Sequence, residues 1–201
     1  AMIRKTLIAA ATVAAVMSSA SVFADGTVPA PTSTGKFGGG TITFTGSVTE
    51  APCSIPAGEA NQNIDLGAVS NQLLVSSKNG SNPVAVKIEL KNCDLGTSPK
   101  YAKASLKFLN DGKLDATDLT KGFLQTTGPE NVAVQLLDKT GITPIDFTSD
   151  AKMQPATDTP LVSGADSTLT FWARLKGKTG ASTPPSAGSV TAQVSYQLDY
   201  H

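Results

Sequence analysis

Apolar and polar residues alternate along much of this chain with a period of two. From Thr41 to Thr49, Ile42, Phe44, Gly46 and Val48 fall on one side, and Thr41, Thr43, Thr45, Ser47 and Thr49 on the other. Such alternation predicts a strand with one buried face. Branched and aromatic side chains reinforce it, because they pack well on a pleated surface. The pattern returns at 82–90, where Val84, Val86, Ile88 and Leu90 alternate with Ala85, Lys87 and Glu89. It recurs at 132–137, and again where Leu169, Phe171, Ala173 and Leu175 oppose Thr170, Trp172, Arg174 and Lys176. Shorter strands are predicted at 63–69, 104–109 and 142–147. Turn signals separate them: Lys78-Asn79-Gly80, Asp111-Gly112 and Asp138-Lys139-Thr140-Gly141. Many short strands with turns between them predict an all-β sandwich.

Two places in this pattern ask for something outside the chain's own strands. The last stretch is the most regular: Val190, Ala192, Val194, Tyr196, Leu198 and Tyr200 point one way, and Ser189, Thr191, Gln193, Ser195, Gln197 and Asp199 the other. A terminal strand of that kind exposes six apolar side chains unless it pairs on both edges or lies beside a groove. The second place is Gly46, which supplies no side chain in a row that should fill a core. Glycine in a strand marks a bulge or the close approach of another backbone.

Composition agrees with an exported β protein. Hydrophobic residues make up 40% of the 201 and charged residues only 16%. The formal net charge of zero gives no reason to expect nucleic-acid binding. Residues 1–24 read as a signal peptide: Arg4 and Lys5, an apolar run from Leu7 to Val16 too short to span a bilayer, then small residues ending at Ala24. Residues 25–50 read as a flexible extension, because Pro29, Pro31, Gly35, Gly38, Gly39 and Gly40 leave little apolar surface to offset the entropy of ordering.

Chemistry is sparse. Cys53 and Cys93 are the only cysteines, an even count in an exported chain, and predict a disulfide. Closing a loop of roughly 40 residues stabilises by about 4 kcal/mol in the chain-entropy model. A metal site would need more ligands, and the single histidine is His201. That also argues against a Ser-His-Asp triad. Gly177-Lys178-Thr179 lacks the phosphate-loop glycine five positions earlier, where Trp172 stands. Asp111, Asp115 and Asp118 lack calcium-loop spacing. No enzyme, metal or cofactor is expected.

The residues taken together resemble the subunits of type 1-like and P-like fimbriae, assembled by the chaperone–usher pathway. The matching pieces are ITFTGSV at 42–48, Ala51-Pro52-Cys53-Ser54-Ile55, Ile64-Asp65-Leu66-Gly67 and Ile88-Glu89-Leu90-Lys91-Asn92-Cys93, then Phe171 with Ala173-Arg174, and the alternating end with Tyr200 next to last. The resemblance implies an incomplete immunoglobulin-like β-sandwich at 51–201, a pilin domain completed by a donor strand from a neighbouring subunit. The donor would be Ile42, Phe44, Gly46 and Val48, within about 39–50. The acceptor groove, also the region a chaperone grips, would include Val190, Ala192, Val194, Tyr196, Leu198 and Tyr200. The implied partners are identical or related pilin subunits, a periplasmic chaperone and an outer-membrane usher, with passage through the periplasm to a cell-surface fimbrium. The implied role is a structural subunit of that fimbria, the alternative being a minor adaptor or adhesive subunit.

Overall fold

The computed structural model describes residues 40–97 and 100–201. The proposed signal peptide and most of the 25–50 extension lie outside them. The chain divides into two units, Ala1–Ser47 and Val48–His201. In the described part of the first, 40–47, no regular secondary structure forms.

Among its described residues, the second unit is an open sandwich of nine strands. They are β1 (Val84–Leu90), β2 (Lys103–Phe108), β3 (Phe123–Leu124), β4 (Thr126–Thr127), β5 (Val132–Leu137), β6 (Ala156–Pro160), β7 (Ser167–Gly177), β8 (Thr191–Ala192) and β9 (Tyr196–Tyr200). One sheet has the order β1-β7-β5-β3, a second β6-β2-β9, and β4 pairs with β8 alone. Every one of these pairings is antiparallel. The long β7 organises the first sheet, facing Val84 to Leu90 on one edge and Val132 to Leu137 on the other.

Alternation decides which side chains meet in the middle. Val86, Ile88 and Leu90 join Val134 and Leu136, and Leu169, Phe171, Ala173 and Leu175, in one buried cluster. Ala104, Leu106 and Phe108 of β2 reach the same cluster from the second sheet. Phe108 stands edge-on to Phe171 across the sheets, ring centroids 5.1 Å apart, and edge-on to Phe147 at 6.3 Å. Edge-to-face pairs of this sort contribute about 0.5–1.5 kcal/mol beyond the area they bury. Cys53 and Cys93 form a disulfide inside the cluster. It ties the entry of the body to the end of β1, where Ser54 and Lys91 exchange two backbone hydrogen bonds of 2.8 Å.

Four of the expected strands differ. The segment 41–49 forms no ladder, since no strand among the described residues pairs with it. At 63–69 the extended run is broken at Gly67, whose φ of 72° is left-handed and whose N–H donates to Asp65 Oδ1 at 2.8 Å. At 142–147 the Asp138 carboxylate organises a turn by accepting from the Thr140 N–H and hydroxyl, and Pro144 makes only an isolated bridge to Leu137. The terminal stretch splits, because 191–192 pair with β4 whereas 196–200 pair with β2. The short β3 and β4 and the polar β6 carry no alternation that would have announced them. β5 is buried on both faces, not one: Ala133, Gln135 and Leu137 are covered, and Phe123, paired with Gln135, is buried too.

Removing the disulfide by Cys53→Ser should lower stability by about 2–5 kcal/mol. At about 2–4 °C per kcal/mol for a chain of this size, thermal unfolding of the oxidised wild type and the variant should differ by roughly 4–20 °C. Two free thiols in the unreduced wild type would refute the pairing.

A second expectation concerns acid. Asp146 sits at about 2, held there by Lys152 Nζ at 2.8 Å and by the Thr148 N–H at 2.9 Å. A carboxylate with a depressed folded-state value stabilises above its ordinary 3.8 and loses that contribution as pH falls through about 2. Asp146→Asn should therefore lower the melting temperature at neutral pH, with the difference from wild type closing between pH 3.8 and 2. A difference that persists at pH 2 would contradict the assignment.

Candidate functional site

The C-terminal stretch has its apolar row on the core side, yet that row is not closed. The register sets Tyr196 opposite Phe108, Leu198 opposite Leu106 and Tyr200 opposite Ala104. All three β2 residues are 0% exposed. Their β9 partners, together with Val190, Ala192 and Val194, are only half-buried against the same core. Burial pushes the Tyr196 and Tyr200 hydroxyls above their ordinary value, with Glu59 adding to the effect at Tyr196. β9 is an edge strand: β2 is its only partner among the described residues.

The facing wall comes from 60–71. Its Ile64, Leu66 and Val69 are half-buried and packed on the same core. Two side chains tie its ends across: Tyr196 Oη donates to the Ala60 carbonyl at 3.1 Å, and Asn71 Nδ2 to the Pro185 carbonyl at 3.0 Å. As 60 runs to 71, its partner runs from 196 back to 185, so the two segments are antiparallel. No backbone hydrogen bond joins them among the described residues. Paired strands stand about 4.8 Å apart, and two such spacings, about 9.6 Å, accommodate one strand between. Here a tyrosine hydroxyl and an asparagine amide join the two segments near their ends, with no backbone ladder between them among the described residues. At the Tyr200 end lies a hollow of about 310 Å³ lined by Glu50, Ala51, Pro52, Tyr101, Leu198 and Tyr200. Another, of about 390 Å³, lies beside Leu66, Val69 and Leu73.

All six residues of the C-terminal row that the alternation singles out are half-buried and packed against the same core. The opposite wall was missed as a wall, although Ile64 and Leu66 at a spacing of two carry the same signal that Val190 to Tyr200 carry. On the other side, Ile42 and Phe44 are 77% and 87% exposed, and Gly46 has no atom within 4 Å of where a Cβ would stand. Val48 is also fully exposed. The three aspartates considered for calcium go to separate partners: Asp111 accepts from Ser195, Asp115 pairs with Lys178 Nζ at 2.7 Å, and Asp118 accepts from Thr179.

A direct consequence is an asymmetry between paired positions. Leu106→Ala empties a closed core site and should cost about 2–5 kcal/mol. Leu198→Ala, directly opposite, should cost less than half as much in the isolated chain, because its side chain is only half removed from water. Adding a peptide of residues 39–50 should raise the cost at Leu198 and leave Leu106 unchanged. Equal costs without peptide, measured by urea unfolding, would mean the face is already closed.

Against this geometry stand the comparisons with known proteins. The model of the fimbrial protein family matches residues 42–201. The F7-2 fimbrial protein of Escherichia coli is 33% identical over 174 residues, spanning 81% of this chain and 85% of its own. A solved chaperone–usher pilus, described for the molecular basis of rod uncoiling, superposes with a TM-score of 0.64 at 26% identity, over 82% of this chain and 97% of the other. The rod subunit PapA of the P pilus gives 0.58 at 25% identity, over 75% and 100%.

Proposed function

The chain belongs to the fimbrial protein family, and from that premise we propose that it is a structural subunit of an adhesive fimbria, polymerised head-to-tail by donor-strand complementation. Each copy inserts about 39–50 into the slot of its neighbour between 60–71 and 185–200. The observation that carries this reading is the match of slot and strand. Half-buried apolar side chains line both 60–71 and 190–200, and no backbone ladder joins the two segments among the described residues. The segment 41–49 has an alternating apolar row that nothing in its own described surroundings covers.

The energetics favour exchange between copies. An inserted strand would satisfy backbone groups on both walls and remove Ile42, Phe44 and Val48 from water, at roughly 1.5–3 kcal/mol each. Together that is comparable with a whole domain's stability of about 5–15 kcal/mol. Because donor and acceptor are different surfaces of one chain, the contact is heterologous and open, and it propagates as a filament. An unfinished apolar face with an unpaired edge is also an aggregation hazard before assembly. That supports a requirement for a periplasmic chaperone on Val190–Tyr200 during export, and for an outer-membrane usher at which the donor replaces it.

Gly46→Leu in the full chain should block filament formation while leaving the chaperone-bound subunit folded. A leucine side chain inserted where the row is bare would overpack the slot by about 1–3 kcal/mol or more. Electron microscopy and the ladder of detergent-resistant oligomers measure the outcome; normal filaments from this variant would falsify the reading.

A further inference from the structure

The turn at 78–80 holds the one asparagine of this chain that precedes a glycine, Asn79. The others stand before Gln62, Ile64, Gln72, Pro83, Cys93, Asp111 and Val132. Asparagine is a chemically labile residue, and its successor sets the rate. The backbone nitrogen of that successor attacks the side-chain carbonyl, and any Cβ beside the nitrogen crowds the approach. Proline has no N–H to give up at all. Glycine alone leaves the path open.

The fold makes this glycine obligatory. Gly80 has a φ of 81°, and a Cβ on it would lie 2.1 Å from the Leu175 carbonyl oxygen. No larger residue fits there, so the lability cannot be relieved by changing position 80. Asn79 itself is exposed, and the Gly80 N–H has no backbone acceptor among the described residues. The nucleophile is therefore not tied up in a ladder or a turn. Lys176 Nζ donates to the Lys78 carbonyl, which puts a cation beside the reacting pair. A cation there eases loss of the amide proton and favours a carboxylate product.

We propose that Asn79 is a site of spontaneous covalent modification in the folded subunit, consuming water and releasing ammonia. Hydroxide removes the Gly80 N–H proton, and the nitrogen attacks Asn79 Cγ. The new C–N bond closes a cyclic imide as the bond from Cγ to the side-chain nitrogen breaks. That nitrogen leaves as ammonia, taking a proton from water and regenerating hydroxide. Water then opens the ring on either side, giving aspartate or isoaspartate. Of the two, isoaspartate lengthens the main chain, by one CH2 just before Gly80. The residues that follow are held against β7: the Ser81 N–H donates to the Leu175 carbonyl at 2.8 Å, and Ser81 Oγ accepts from the Leu175 N–H at 2.9 Å. The misfit therefore falls on the entrance of β1, whose ladder to β7 opens with Val84 opposite Ala173. β1 is the end strand of its sheet among the described residues, so conversion loosens that edge as the protein ages. The site does not rest on the donor-strand reading.

The test ages the full chain in mildly alkaline and mildly acidic buffer and follows the tryptic peptide Asn79–Lys87 by mass spectrometry. Asn82 in the same peptide precedes Pro83 and serves as the internal control. Digestion in heavy-oxygen water marks any conversion that follows cleavage, and enzymatic carboxyl methylation counts isoaspartate. In the folded chain Asn79 should convert at least about tenfold faster than any other asparagine, a barrier difference of about 1.4 kcal/mol, and faster in the alkaline buffer. Aged wild type should melt at least about 2 °C below fresh protein. Aged Asn79→Gln should melt as fresh wild type does, and so should fresh Asn79→Asp, which carries the charge without the added CH2. Conversion at Asn79 no faster than elsewhere, or only in the urea-unfolded chain, would overturn the site. Conversion without a melting shift would overturn its effect on β1.

Discussion

Everything in this molecule turns on one unpaired edge. β9 hydrogen-bonds to β2 on one side and to no strand on the other among the described residues. Its inward side chains sit over a core that is closed beneath β2 and open beneath β9. A sheet edge presents a row of unmet N–H and C=O groups, and folded proteins usually cover or blunt it. Among the described residues no strand covers it. The edge is flanked by a wall, 60–71, that stands off by side-chain contacts at its two ends.

That wall must be held in place without a ladder to hold it, and the rest of the architecture does so from behind. The Cys53–Cys93 bond and the Ser54–Lys91 bridge fasten the start of the segment to the end of β1. Gln62 Nε2 then reaches the Lys87 carbonyl at 2.7 Å. Further on, the 3-10 turn Asn71–Leu73 is capped by Ser70, and Leu74, 5% exposed, anchors in the core. The carbonyl of Leu74 stands so close to Gly177 that a Cβ there would lie 2.2 Å away. The segment is pinned at both ends and forms no backbone ladder along 60–71 among the described residues. A disulfide that stabilises the body by a few kcal/mol therefore also helps to position the 60–71 segment.

How much of this was legible follows from what alternation encodes. It reports which side chains share a face, so the core rows of β1, β5 and β7 and the six residues of the C-terminal row could be read directly. It does not report which edge a strand uses. The division of 190–200 between β4 and β2, and the replacement of a strand at 63–69 by an irregular wall bent at Gly67, are edge decisions made by tertiary partners. Outer-face burial was equally hidden: Gln135 looks like a surface residue by period, and only the covering of β5 reveals it as buried, its Oε1 accepting from Arg174 Nε at 2.8 Å. Trp172 and Arg174 could be placed on the outer face from the sequence. That a buried amide holds Arg174 there could not.

Gly46 is where the legible and the hidden meet. Several glycines in the body are required by their own surroundings: a Cβ at Gly80 would stand 2.1 Å from the Leu175 carbonyl oxygen, and one at Gly122 2.5 Å from that of Leu136, both at left-handed φ. Gly46 has neither constraint, with open space around it and no positive φ. Within its own described surroundings a valine or threonine would fit it as well as its neighbours fit theirs, and would favour the extended conformation more. Glycine there weakens the segment as a strand on its own. In the proposed donor strand, the bare Cα would serve at a point where the acceptor surface comes too close for a side chain. On the proposed reading, the missing side chain and the unpaired edge are the two partners of one contact.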